Sequence, residues 1–406
     1  MIVLAGADIV LTDQIITGGS LSIVDGIIER IDRVGSSRPG ATVIDVSGHT
    51  IVPGFVDVHV HGLEGTDVLD GPGAVADVAE RLPKYGVTGF CPTSIACTPE
   101  RLNGFLEAVD RARKNPAARS AQVHGAHLES NFINPEWNGA QPAACLRRPQ
   151  EPQVPQEPQE PQEPQEEAQR SFTGADILRV IANHRGAVGI VTLAPELPGG
   201  VELVRDLVKQ GHRVSIGHSG ASYEQARAAI DAGARHATHL FNRMSSMTSR
   251  APGVVGAVLE SNAVTAEIIC DGHHVHPSLV STAIRIKSAS RIIAITDGTA
   301  LAGLPKGSRA RLGDQTIVAG DRTALLEDGT LAGSLLTMDG AFRLLLGLGW
   351  TLPEVARMCA MTPAEALGMR DTGAIAPGNV ADLVIFDANF RVRQTYIGGI
   401  AALSGS

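Results

Sequence analysis

The sequence lacks any run of about 18 apolar residues, the length a bilayer-spanning helix needs. Its first stretch, MIVLAGADIVLTDQ, has neither a basic leader nor a small-residue cleavage site. A membrane protein and an exported one are therefore not expected, and the chain reads as soluble and cytoplasmic. Cysteine is scarce: Cys91, Cys97, Cys145, Cys270 and Cys359 are odd in number, scattered and without a CxxC pair. That excludes a disulfide framework or a zinc knuckle and points to reduced, buried thiols. A basic excess is also missing, since the formal charge is −9, which disfavours nucleic acid as a partner. Six glutamates and no basic residue fall within Pro149–Gln169, so the remainder carries only −3 and says little about the substrate. What the 406 residues do contain is apolar material, 43%, and 45 glycines, enough for one large domain and a smaller one.

From Met1 to about Thr50 short strands are broken by glycine and aspartate, as in IVLAGADIVLTD, GGSLSIVDGIIERI and ATVIDVSGHT, and the same texture returns in GNVADLVIFDANFRVRQTYIGG. The pattern predicts a discontinuous β domain from 1–50 and 374–406 around a unit at 51–373. In that unit eight β-rich runs can be counted: IVPGFVDVHVH, VTGFCPT, AQVHGAHLE, AVGIVTLAPE, HRVSIGHS, ARHATHL, VTAEIICDG and RIIAITDG. Amphipathic segments at Gly73–Tyr85, Pro99–Arg113, Gly174–His184, Ser222–Ala232 and His276–Lys287 lie between them. Strands alternating with helices imply parallel pairing, and eight such units predict a TIM-type (β/α)8 barrel. RRPQEPQVPQEPQEPQEPQEEAQR breaks the rhythm, because each proline removes a backbone donor and the segment offers almost nothing to bury. At about 149–169 it is expected to be a disordered insertion on the face where barrel active sites form, either a surface expansion or a lid.

Polar residues recur at the last positions of these runs. His59 and His61 end the first, Glu129 the third, His218 the fifth, His239 the sixth and Asp297 the eighth. In a closed parallel barrel those ends converge on one mouth. Residues i and i+2 of a strand share a face, so both His59 and His61 turn inward. Imidazole and carboxylate donors at one point suit zinc or a related divalent ion with a position left open for water, and Glu129, His218 and His239 make such a set. One buried histidine is ordinarily a hydrogen-bonded core residue; a set at consistent strand ends is not. His49, His124, His184 and His212 have no comparable place and are expected to be structural.

The runs PGFVDVHVHG, TLAPE, SIGHSGASYEQA, ATHLFNRM, DGHHVHP, TDGTALAG, LAGSLLTM and TPAEALG resemble, in order and over nearly the whole chain, blocks of the N-acetylglucosamine-6-phosphate deacetylases of the amidohydrolase superfamily. The resemblance implies a (β/α)8 barrel with a β-sandwich built from both termini, a homodimer, and hydrolysis of an acetamide on an amino-sugar phosphate. The implied cofactor is a divalent metal, zinc first with iron, manganese or cobalt as alternatives, as one ion or two. Glu129, His218 and His239 match the main ligands, and His59 with His61 matches a pair that can hold a second ion. Asp297 matches the acid that takes a proton from water and gives it to the departing amine. Asn242, Arg250 and His274 match substrate contacts, the last two suited to a phosphate dianion. The chain departs from the family where E-G-P-F becomes Glu129, Ser130, Asn131 and Phe132, where G-A-H becomes Gly139, Ala140 and Gln141, and where Arg243 replaces a small residue. A glutamine in the place of that histidine can donate a hydrogen bond but cannot carry a proton's charge.

The leading expectation is conversion of N-acetylglucosamine 6-phosphate to glucosamine 6-phosphate and acetate. A second is another amidohydrolase acting on a different N-acyl sugar, an acyl amino acid or a cyclic amide, for which Gln141, Arg243, Arg250 and His274 discriminate. A third is a non-catalytic ligand-binding relative, against which the ligand set and Asp297 weigh. Fold alone does not choose among them.

Overall fold

The structure, a computed structural model, describes residues 1–33, 40–150 and 171–403. The Pro-Gln-Glu repeat, beyond its first two residues, lies outside the described residues.

Alternation of inward and outward side chains builds a sheet from both ends of the chain. Among the described residues it comprises Ile2–Val10, Ile15–Val24, Ile27–Asp32, Thr42–Asp45, Thr50–Pro53, Leu383–Phe386, Val392–Ile397 and Ile400–Ala401. Leu383–Phe386 seats antiparallel against Thr50–Pro53, tying the C-terminal strands to the N-terminal ones. Leu4, Ile9, Leu21 and Ile28 from one end pack with Leu383, Ile385 and Tyr396 from the other.

The expected first strand, Ile51–His61, is two strands. Thr50–Pro53 joins the terminal sheet and Phe55–Val60 enters the barrel. Pro53 has no N–H for a ladder, and at Gly54 the chain passes so near Thr88 that a Cβ would lie 2.3 Å from its Oγ1. Gly54 N–H leaves the line to donate to Asp382 O at 2.8 Å.

The barrel strands among the described residues are Phe55–Val60, Val87–Ser94, Ala126–Glu129, Val188–Leu193, Arg213–Ile216, His236–Ala237, Thr265–Ile269 and Ile292–Ile295, each parallel to the next. Closure comes just past the eighth strand, where Val60 bridges Gly298 while Asp297 N–H donates to His59 O at 3.0 Å and His61 N–H to Gly298 O at 2.8 Å. Parallel neighbours require crossovers, and helices supply them. Pro99–Lys114 buries Leu102, Phe105, Leu106 and Val109, the spacing of one helical face, behind an N-cap at Thr98. Gly174–Asn183 and Tyr223–Asp231 start from capping boxes at Thr173 with Asp176 and Ser222 with Gln225. The helix expected over Gly73–Tyr85 is α-helical only over Ala74–Arg81 and tightens to a 3-10 turn at Leu82–Tyr85, where Pro83 has no amide hydrogen to give.

An antiparallel sheet of Arg309–Leu312, Gln315–Ala319, Thr323–Leu326 and Leu331–Ser334 follows the eighth strand. The sequence reading did not separate it from the barrel. It brings Leu312 and Leu331 to the mouth.

Candidate metal-dependent active site

The residues expected to end strands mostly lie just past them. Glu129 is the last residue of its strand, His61 follows Val60, and His218, His239 and Asp297 each stand two residues beyond Ile216, Ala237 and Ile295. These last three share left-handed backbone, with φ of 47°, 30° and 49°. Such a conformation costs a non-glycine residue about 1–3 kcal/mol and persists where surrounding bonds impose it. His239 N–H is held by Glu267 Oε2 at 3.2 Å, and Asp297 N–H by His59 O.

The side chains meet in two linked sets. Glu129 Oε1 lies 2.6 Å from His218 Nε2 and 2.9 Å from His239 Nε2, and the two Nε2 atoms are 3.1 Å apart. His59 Nε2 and His61 Nε2 are 3.2 Å apart, with Asp297 Oδ1 at 3.4 and 3.2 Å from them. Glu129 Oε2 reaches to 3.6 Å from His61 Nε2, so one carboxylate borders both sets. All six residues are buried.

The donors fit a divalent ion, and tautomers show why. His61 Nδ1 faces Thr93 O at 3.0 Å, and His218 Nδ1 faces Trp137 O at 2.8 Å. His59 Nδ1 faces Glu267 Oε2 at 3.0 Å. A carbonyl or carboxylate oxygen only accepts, so these Nδ1 atoms carry hydrogen and Nε2 is the atom each ring turns to the site. Nitrogens gathered this closely around carboxylates call for positive charge between them. Charge balance agrees: burial works to lower the pKa of His61 and of His239, but Asp297 and Glu129 beside the first, and Glu129 above all beside the second, raise each to about 9. Burial likewise works to raise Glu129, and His218 with His239 overrides it, holding that carboxyl well below its ordinary range. Asp297, also pushed up by burial, is held below its usual value by His59 and His61.

A cleft opens over these sets, lined also by Gln141, Asn242, Arg243, His274 and the apolar Ile95, Ile269 and Leu312. The His274 side chain is buried and fixed by Asp271, whose Oδ2 accepts from Nδ1 at 2.7 Å. Asn242 Nδ2 donates to His239 O at 3.3 Å. Arg243 is exposed at the rim. Arg250 is exposed too and is not among the residues lining the cleft.

Two departures from the family pattern face away from the cleft. Ser130 Oγ donates to Thr192 O at 2.6 Å, and Asn131 Nδ2 donates to Cys97 O and Cys145 O at 2.8 and 2.7 Å. Ser130 ties its loop to the fourth barrel strand, and Asn131 ties loops together. His49, His124, His184 and His212 stay outside the cleft, in keeping with structural roles. Sequence reasoning missed Asp271 and Glu267; the second carried a signal, an acid in the apolar run VTAEIICDG.

The amidohydrolase family model matches residues 50–401, and the chain belongs to that family. Membership makes it a metal-dependent hydrolase of amide bonds. Within the family it is 35% identical to the N-acetylglucosamine-6-phosphate deacetylase of Bacillus subtilis, over 98% of this chain and 96% of that one. It is 33% identical to the N-acetylgalactosamine-6-phosphate deacetylase of Escherichia coli, over 93% of each. Among solved structures, that of the Mycobacterium smegmatis N-acetyl-D-glucosamine-6-phosphate deacetylase in complex with N-acetyl-D-glucosamine-6-phosphate matches with a TM-score of 0.86 at 28% identity, covering 99% of both chains.

Proposed function

We propose that this chain hydrolyses the acetamide of N-acetylglucosamine 6-phosphate to glucosamine 6-phosphate and acetate. The observation that carries the reading is the placement of Asp297 Oδ1 within 3.4 Å of the His59–His61 pair, in the same cleft as Glu129, His218, His239 and the Asp271-braced His274. Likeness to deacetylases of amino-sugar phosphates over nearly the full length supports it.

Glu129, His218 and His239 would hold the first divalent ion, and His59 with His61 a second; imidazole and carboxylate donors favour zinc. The bound metal supplies a Lewis acid that polarises the acetyl carbonyl and makes water a stronger acid. Asp297, held ionised, takes a proton from the attacking water as the O–C bond forms and returns it to the amine nitrogen as the C–N bond breaks. Arg243 directs its guanidinium donors at the phosphate, and His274 lines the same cleft. Ile95, Ile269 and Leu312 offer apolar surface to the acetyl methyl and the sugar ring.

The five free, buried cysteines support a reducing, cytoplasmic setting, and no helix of the described residues is long and apolar enough to cross a membrane. A homodimer is proposed on the resemblance to the deacetylase family. The separate apolar core drawn from residues 4–51 and 375–396 supports a domain division near 50 and 374.

The test is a paired assay of N-acetylglucosamine 6-phosphate and N-acetylglucosamine. The expected kcat/KM ratio is at least about 100, a gap of about 2.7 kcal/mol. Equal rates, or no turnover of either beside rapid hydrolysis of an acyl amino acid or cyclic amide, overturns the reading. The Escherichia coli relative's name makes N-acetylgalactosamine 6-phosphate the second substrate to assay.

A further inference from the structure

Beneath the ligand sets the barrel interior is polar where such barrels usually stack branched apolar side chains. Glu267 lies at the centre of this layer, 0% exposed. Its neighbour on the same face of the strand, Ile269, lines the cleft. Glu267 Oε1 accepts from His236 Nε2 at 2.8 Å; Oε2 accepts from His59 Nδ1 at 3.0 Å and from His239 N–H at 3.2 Å. The layer is bonded throughout: His127 Nδ1 meets Val58 O at 2.9 Å and Nε2 meets Thr192 Oγ1 at 2.7 Å, and Thr192 continues through Thr238 to Ser215.

Burying a carboxylate costs several kcal/mol unless charge and hydrogen bonds repay it, and an apolar layer would fill the space without that cost. The bonds themselves indicate what the carboxylate does. It fixes His59 as the tautomer whose Nε2 lone pair turns to His61 and Asp297, and it anchors the left-handed turn at His239.

We propose that Glu267 is a positioning residue that prepares His59 to ligate the second metal ion, the one held with His61. A carboxylate behind an imidazole raises its basicity as a ligand and fixes its orientation, and loss of such a partner typically weakens metal binding by about 10–100-fold. The inference rests on the metal-site reading and not on the identity of the sugar.

The test counts metal rather than turnover, so it stands apart from the substrate assay. Chelator-stripped protein is titrated with zinc, by calorimetry and by metal analysis after dialysis. Wild type should take two ions per chain. Glu267→Gln, which keeps an acceptor but removes the charge, should weaken the second ion about 10-fold and leave the first within about 3-fold; Glu267→Ala should lose the second ion. His59→Ala should weaken that ion about 100-fold, and adding Glu267→Gln to His59→Ala should then change its affinity by less than about 3-fold, because the carboxylate reaches this ion through that ring. Three outcomes overturn the proposal: two ions bound with wild-type affinity in Glu267→Gln, a single ion in wild type, or an undiminished Glu267→Gln effect in the His59→Ala background. Should Glu267→Ala not fold, the glutamine and His59 cycle decides alone.

Discussion

The side-chain amide of Gln141 donates to Glu129 Oε2, while its Oε1 accepts the Ala96 N–H at 2.7 Å. Both polar ends of this residue are thus occupied, one on the carboxylate proposed to ligate the metal and one on the loop after the second barrel strand. Where the resembled family has a histidine, this chain has a glutamine that braces the Glu129 carboxylate. Gln141→Ala should therefore weaken zinc retention about 10-fold and lower turnover with it. A variant with unchanged metal affinity and a changed KM alone would return Gln141 to a purely substrate-facing role.

Asp297 should matter to chemistry more than to binding. Its carboxylate is held ionised between His59 and His61, and Asp297→Asn keeps the shape while removing the proton acceptor. The expected loss is about 10²-fold or more in kcat with KM within a few-fold, measured alongside retained metal at Glu129, His218 and His239. Normal kcat would leave Asp297 as a ligand only.

Phosphate preference should depend on Arg243 more than on Arg250, because Arg243 lines the cleft with His274 and Arg250 does not. Arg243→Ala should shrink the kcat/KM advantage of the phosphorylated sugar about 10-fold or more, mainly through KM, since a charge-assisted contact to a dianion is lost. Arg250→Ala on the same assay should have the smaller effect. The reverse order would place the phosphate elsewhere on the rim.

Stability should fall as pH rises through the titration of Asp382. Burial pushes this carboxyl up to about 6, despite hydrogen bonds from Gly398 N–H at 2.8 Å and Thr372 Oγ1 at 3.3 Å, and neighbouring Asp371 adds to the rise. A folded-state pKa above the unfolded value means that the contribution is complete below about pH 4 and is lost as pH climbs through about 6. Asp382→Asn should match wild type near pH 4 and exceed it by about 3 kcal/mol at pH 7.5 in denaturant unfolding. Parallel pH profiles for the two proteins would contradict the shift.

Local pattern was enough for much of this molecule. The helical segments expected from Pro99 and from Ser222 begin in the structure at Pro99 and Tyr223, because apolar spacing acts over one or two turns. Eight strand runs sufficed to expect a barrel, and the HxH pair at His59 and His61 sufficed to expect two rings on one face, since side-chain direction in a strand depends only on parity. Tertiary structure alone decided the rest. Pro53 and Gly54 divide one apparent strand between two sheets because Thr88 and Asp382, distant in sequence, press on the chain there. His218, His239 and Asp297 turn inward through left-handed backbone that their own sequence does not favour and that barrel closure imposes. Arg243 rather than Arg250 lines the cleft by where one loop folds. Glu267 passed unremarked in an apolar strand, since its partner His59 stands 208 positions away. Periodicity reports which face a residue occupies; which faces meet is settled only when the strands close on one another.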